Sequence, residues 1–224
     1  MRRFKMIALA GLLTVAWFTA TEGAALASDW CGENGVIRFS LAAGDSLVEV
    51  LETGEAVNGV TTVDVYAWLT DVAEVSRAGE KFLRVGGVEM KLSIEGAEAF
   101  LLQQKFPTQV LNVGAEIGTI IAGFVPGQRL NKGSTLIVQW QVMFQGRPEN
   151  VRFGLDPAGT MSCATVEGCS EASPSAIYVG VESSNQLGAM FGAGYVPAWL
   201  NPSDEPDVTP VHCSQSYQDV GLFQ

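Results

Sequence analysis

From Val63 to Thr70 the chain alternates without a break. Val63, Val65, Ala67 and Leu69 fall on one side, and Asp64, Tyr66, Trp68 and Thr70 on the other. A period of two sends successive side chains to opposite faces of a pleated backbone, so the segment predicts a strand with one buried face. Val88, Met90, Leu92 and Ile94, set against Glu89, Lys91, Ser93 and Glu95, predict a second. The strongest case is "STLIVQWQVMFQ": Leu136, Val138, Trp140, Val142 and Phe144 share one face, with Gln139, Gln141 and Gln145 on the other. Val151, Phe153 and Leu155 begin another strand, and Ile177, Val179 and Val181 one more. Residues 35–41, 46–52, 108–113 and 118–124 carry weaker versions of the pattern. Residues 95–106 contain good helix formers, but Phe100, Leu101 and Leu102 are consecutive rather than spaced by three and four, which reads as a strand or a short helical turn.

Turn signals separate these runs: Ala43-Gly44-Asp45, Asn58-Gly59, Gly86-Gly87, Pro126-Gly127, Asn131-Lys132-Gly133 and Gly146-Arg147-Pro148. Glycine supplies positive φ and proline fixes φ, so each pair punctuates the chain for a physical reason. Some eight or nine short strands with such turns (about 8–9 by this count) predict an all-β, antiparallel, jelly-roll-like sandwich. The sandwich is expected over residues 28–200. Residues 201–210, with three prolines and three acids, form a loop without strand potential. The tail 201–224 is expected to be tied back onto the sandwich by a disulfide through Cys213.

The N-terminus changes the picture from fold to compartment. Arg2, Arg3 and Lys5 precede an apolar run over 6–20, and Ala25-Leu26-Ala27 follows as a processing site. That order reads as a secretory signal peptide over 1–27, and the run is shorter than the roughly 20 residues a membrane span needs. The protein is therefore expected to be secreted or periplasmic. The whole chain has 13 basic and 24 acidic residues, a net charge of −11. Loss of three basic residues and one acid with the signal makes the mature chain more acidic still. Such a balance disfavours nucleic acid and anionic membrane surfaces as partners.

Export also decides how the four cysteines read. Cys31, Cys163, Cys169 and Cys213 are an even set in an exported chain, which points to disulfides. Four cysteines allow three pairings; proximity favours Cys163–Cys169 as a small loop, leaving Cys31–Cys213 to join the ends of the mature chain. A zinc site is short of ligands, because His212 is the single histidine. No metal or cofactor is expected.

Candidate chemistry is sparse. His212, beside Cys213, lacks the company that Ser-His-Asp or Cys-His catalysis needs. A pair of carboxylates could serve a hydrolase, but the acids are too many to single out a pair. Glu89 and Glu95 alternate with Lys91 as a solvated strand face would, and Asp204, Glu205 and Asp207 read as a solvated loop without the EF-hand pattern. Trp140 reads as core, and Trp199 as an anchor of the tail or part of a platform. Tyr66 and Trp68 lie opposite the apolar face of their strand, where two rings with polar tips could form a ligand-binding platform for sugars.

The segments "VTTVDVYAWLTDV", "VGGVEMKLSIEG", "GSTLIVQWQVMF" and "ENVRFGLDPAG", in that order, resemble the cohesin-like sandwich over about residues 60–181. The resemblance implies an extracellular, non-catalytic module; related jelly-roll sandwiches bind carbohydrate. The expected function is a non-enzymatic binding, structural or adhesion role outside the cytoplasm, with a protein or polysaccharide partner. The alternatives are a carbohydrate-binding module using Tyr66 and Trp68, and a carboxylate-based hydrolase.

Overall fold

The alternation over 63–70 becomes β3 (Val60–Thr70), which lies antiparallel to β8 (Ser134–Gln145) along its whole length, from Val60 opposite Gln145 to Thr70 opposite Ser134. The structure is a computed structural model, and it describes residues 35–44, 46–72, 82–130, 133–156, 176–182 and 187–211. β1 (Val36–Ser40) pairs with the other side of β3, and β5 (Ala99–Lys105) with the other side of β8. These four strands, in the order β1-β3-β8-β5, form the first sheet.

The second sheet is built around β4 (Phe82–Glu95). β7 (Thr119–Arg129) runs along one side of it, and β10 (Ala176–Glu182) and β9 (Val151–Asp156) share the other. β6 (Val110–Asn112) edges β7; β12 (Ala198–Leu200) edges β9, and β2 (Val50–Leu51) edges β12. β11 (Leu187–Val196) pairs antiparallel with β10 and then, over Gly194–Val196, parallel with β1. It thus passes from one sheet to the other and joins them on that side. The opposite side, where β5 and β6 lie, has no such crossing strand among the described residues.

The inner faces meet as the period-two pattern requires, except that the β3–β8 pairing slips between Ala67 and Trp68, so Ile137 is buried and Leu136, expected on the inner face, lies opposite Trp68 on the outer one. Val63, Val65, Ala67 and Leu69 of β3 are buried, with Val138, Trp140, Val142 and Phe144 of β8 and Val88, Met90 and Leu92 of β4. Phe39 stacks on Trp140 at a ring-centre distance of 6.4 Å and meets Tyr195 edge-on, while Phe144 meets Phe153 edge-on. Each fully buried large side chain contributes about 1.5–3 kcal/mol over leaving it in water. The sandwich is held chiefly by this face-to-face burial.

Several expectations change. Twelve strands are present among the described residues rather than eight or nine: β5 lies in the segment left between strand and helical turn, and β11 and β12, over Leu187–Val196 and Ala198–Leu200, carry no clear apolar–polar alternation. The sandwich is antiparallel except at β1–β11 and β2–β12, which are parallel. Residues 95–106 hold the end of β4, a turn at Gly96 and strand β5, not a helix. Gly96 has φ +97°, and a Cβ there would overlap the Asn150 carbonyl oxygen, so only glycine fits without strain. Gly86-Gly87 and Pro126-Gly127 make no turns. They lie within β4 and β7, where the pairing slips between Val85–Gln128 and Gly87–Gly123. Glu89 is buried rather than solvated, because β4 is a central strand and Glu89 sits between Ile121 of β7 and the backbone of β10. By contrast, Asn58-Gly59 turns as expected: both residues have positive φ, and Val57 pairs with Val60 across them.

Beyond β12 the chain loops back. Val211 exchanges two backbone hydrogen bonds with Tyr195 of β11, at 2.9 and 2.7 Å, and the indole N–H of Trp199 donates to the Asp207 carbonyl at 2.9 Å. Residues 1–27, all four cysteines and His212 lie outside the described residues, as do the disulfide pairings expected of those cysteines.

Candidate functional site

The outer face of the first sheet is set by pleat and register together. On β3, Asp64, Tyr66 and Trp68 point away from the core. Tyr66 lies opposite Ser40 on one side and Gln139 on the other, and Gln139 lies opposite Lys105. In the next row Asp64 faces Gln141, which faces Gln103. Beyond that, Thr62 faces Met143, which faces Phe100. On the other side of Tyr66, Trp68 lies between Arg38 and Leu136. The result is a patch of rings, amides and one carboxylate running from β1 across to β5.

Two rings expected as a platform are therefore on one face, at successive outward positions. Tyr66 is only 8% exposed, however, and Trp68 is half-buried. Both are sunk among their neighbours rather than raised above the sheet. Burial, and then the charge of Asp64, push the Tyr66 hydroxyl above the ordinary tyrosine range. The hydroxyl thus stays neutral at physiological pH and keeps its donor.

The polar atoms flanking Tyr66 are unusual. Asp64 Oδ1 and the indole Nε1 of Trp68 are both buried and have no hydrogen-bond partner among the described residues. A buried acceptor or donor without a partner costs about 1–3 kcal/mol. Such groups in a folded protein call for a specific explanation.

Other residues fall elsewhere. Arg38 is committed to Glu49 at 2.6 Å, at the border of the patch. Trp140 is fully buried, as its alternation indicated. Trp199 anchors the returning tail through Asp207 and is not part of this face. Asp207 is held below the ordinary carboxylate range by hydrogen bonds from Thr209; Asp204 and Glu205 are exposed beside it in the same loop. Among the described residues no three His, Cys, Asp or Glu side chains are grouped to hold a metal ion.

Asp64, Gln103, Lys105, Phe100 and Met143 were not singled out from sequence. The outward glutamines of β8 were visible in the alternation, but nothing in the sequence states that Gln141 stands between Asp64 and Gln103.

No protein-family model and no curated protein matches the chain. Solved structures do. The seventh ScaB type I cohesin from Pseudobacteroides cellulosolvens has a TM-score of 0.45 and 10% identity, over 80% of this chain and 98% of its own. This chain resembles cohesin modules. A cohesin module of a family 33 glycoside hydrolase from Clostridium perfringens gives 0.39 and 10%, over 76% and 100%. The sixth cohesin of scaffoldin B from Acetivibrio cellulolyticus, solved with a Cel5 dockerin, gives 0.42 and 7%, over 76% and 99%. The all-β sandwich itself stands on the strand pairings described above.

Proposed function

We propose that this protein is an exported, non-enzymatic binding module that docks a protein partner through the outer face of β3, β8 and β5. The observation that carries the reading is the pair of buried, unpartnered polar atoms, Asp64 Oδ1 and Trp68 Nε1, on either side of Tyr66. Neither atom is open to solvent as the side chains stand, but both side chains are only half-buried, so a rotation of each on docking would offer Asp64 to a partner donor and Trp68 to a partner acceptor and relieve both costs. Half-buried Met143 and exposed Phe100 continue the patch toward β5 and supply the apolar contact a protein interface needs. The basic n-region, apolar run and processing site of residues 1–27 support export.

A carbohydrate ligand is the second reading. It is favoured by the row Gln103, Gln141 and Asp64, whose amide and carboxylate groups suit sugar hydroxyls. The depth of Tyr66 counts against ring stacking and sets this reading second.

Affinity capture from the producing organism's extracellular fraction tests the proposal, with wild type beside a Tyr66→Ala/Trp68→Ala variant. A polypeptide retained by wild type and lost with the variant supports it. Retention on a glycan array that the same variant abolishes would favour the second reading. Equal retention by both proteins removes the face from consideration.

A further inference from the structure

β5 is the terminal strand of the first sheet: it pairs with β8, and among the described residues no strand pairs with its other edge. Phe100 and Leu102 on this strand are 42% and 47% exposed. The pairing with β8 slips between Leu101 and Gln103, which leaves Leu102 as the extra residue. The turn between β6 and β7 is fastened to the same edge: the Gly118 backbone N–H donates to Gln104 Oε1 at 3.1 Å, and the Leu101 side chain packs onto Gly118. Val113 and Ile117 in that turn, and Leu111 on β6, are also exposed. The open side of the sandwich thus presents an apolar strip on an edge strand, within a chain of net charge −11. An uncovered edge of this kind is a template for strand pairing.

We infer that the strip is a homodimer interface, in which β5 of one protomer pairs antiparallel with β5 of its partner about a two-fold axis. Charge selects both the occupant and the direction. Exposed Glu98 immediately precedes β5 and exposed Lys105 ends it. Antiparallel pairing brings Glu98 of each copy to the Lys105 end of the other, twice over, whereas parallel pairing sets like charges together. The other terminal strands, β2 and β6, have only two and three residues and offer little edge to pair. A two-fold axis perpendicular to the sheet joins the first sheets into one continuous layer and leaves both outer faces on the same side. Two copies of the patch around Tyr66 then stand side by side, a bivalent arrangement that raises avidity without any new contact.

Sedimentation velocity on the protein recovered after export, over a concentration series, tests this, with thermal melting to confirm that each variant is folded. Wild type is expected to dimerise. Leu102→Lys is expected to be monomeric, with a melting midpoint equal to that of wild type when both are melted at concentrations low enough to hold wild type monomeric, since the side chain is exposed. Glu98→Lys and Lys105→Glu should each weaken association about tenfold, and the double reversal should restore it. A wild-type protein that stays monomeric up to about 200 µM, or a dimer indifferent to Leu102→Lys, overturns the interface. Failure of the double reversal to restore what the single reversals lose overturns the antiparallel arrangement.

Discussion

The indole N–H of Trp140 donates to Gln104 Oε1 across 2.9 Å, and the same oxygen accepts the backbone N–H of Gly118. One side-chain amide therefore ties the buried ring at the centre of β8 to the edge strand β5 and to the turn between β6 and β7. Replacing Gln104 with leucine keeps the bulk but removes the acceptor for both donors. Because Trp140 is fully buried, its N–H would then be left without a partner. Gln104→Leu is expected to lower stability by about 1–3 kcal/mol, read as a shift of the urea midpoint.

A second polar node closes the far end of the sandwich. Asn201 Oδ1 accepts from the Thr53 backbone N–H at 2.6 Å, and its Nδ2 donates to Thr53 Oγ1 at 2.8 Å and to the Pro148 carbonyl at 2.7 Å. The residue is 4% exposed and sits at φ +47°, which asparagine tolerates better than most residues. Asn201→Ala loses all three side-chain bonds and keeps the unfavourable φ. A loss of about 2–4 kcal/mol is expected, measurable by chemical denaturation.

Alkaline pH should expose a third feature. Tyr178 is 1% exposed, and burial pushes its hydroxyl well above the ordinary value of 10.0. A raised folded value means that the associated stability is intact below the unfolded tyrosine range. It is lost as pH rises above that range, because the unfolded chain ionises first. Denaturation midpoints are thus expected to fall above pH 10, and Tyr178→Phe should flatten that fall relative to wild type.

Glycine at position 96 gives a local test of the fold. A Cβ there meets the Asn150 carbonyl oxygen, and φ is +97°. Gly96→Ala should destabilise by about 1–3 kcal/mol, whereas Gly59→Ala, with open space around it, should cost less. Paired thermal melts of the two variants check the order.

What the sequence made legible follows from where periodicity carries information. Alternation separated Val63, Val65, Ala67 and Leu69 from Asp64, Tyr66 and Trp68, and β3 keeps that division. It also placed Trp140 in the core. Alternation cannot say whether a strand lies at the centre or edge of a sheet, so Glu89 read as solvated although its neighbours bury it. Nor does it carry register: the row Asp64–Gln141–Gln103 exists only once three strands are aligned. Gly86-Gly87 and Pro126-Gly127 looked like turns because glycine and proline mark irregular backbone of any kind, and here the irregularity lies within paired strands.

If the orphaned atoms beside Tyr66 serve a partner, Trp68→Phe separates that role from a structural one. The change deletes the Nε1 donor and keeps an aromatic ring. Removing a buried donor that has no partner should leave the melting midpoint unchanged or raised. Affinity for the captured partner should nevertheless fall, with Kd rising about tenfold. Calorimetric titration of that partner against wild type and Trp68→Phe, with melting curves of both, is the direct measurement. Equal Kd values for the two proteins would contradict the account.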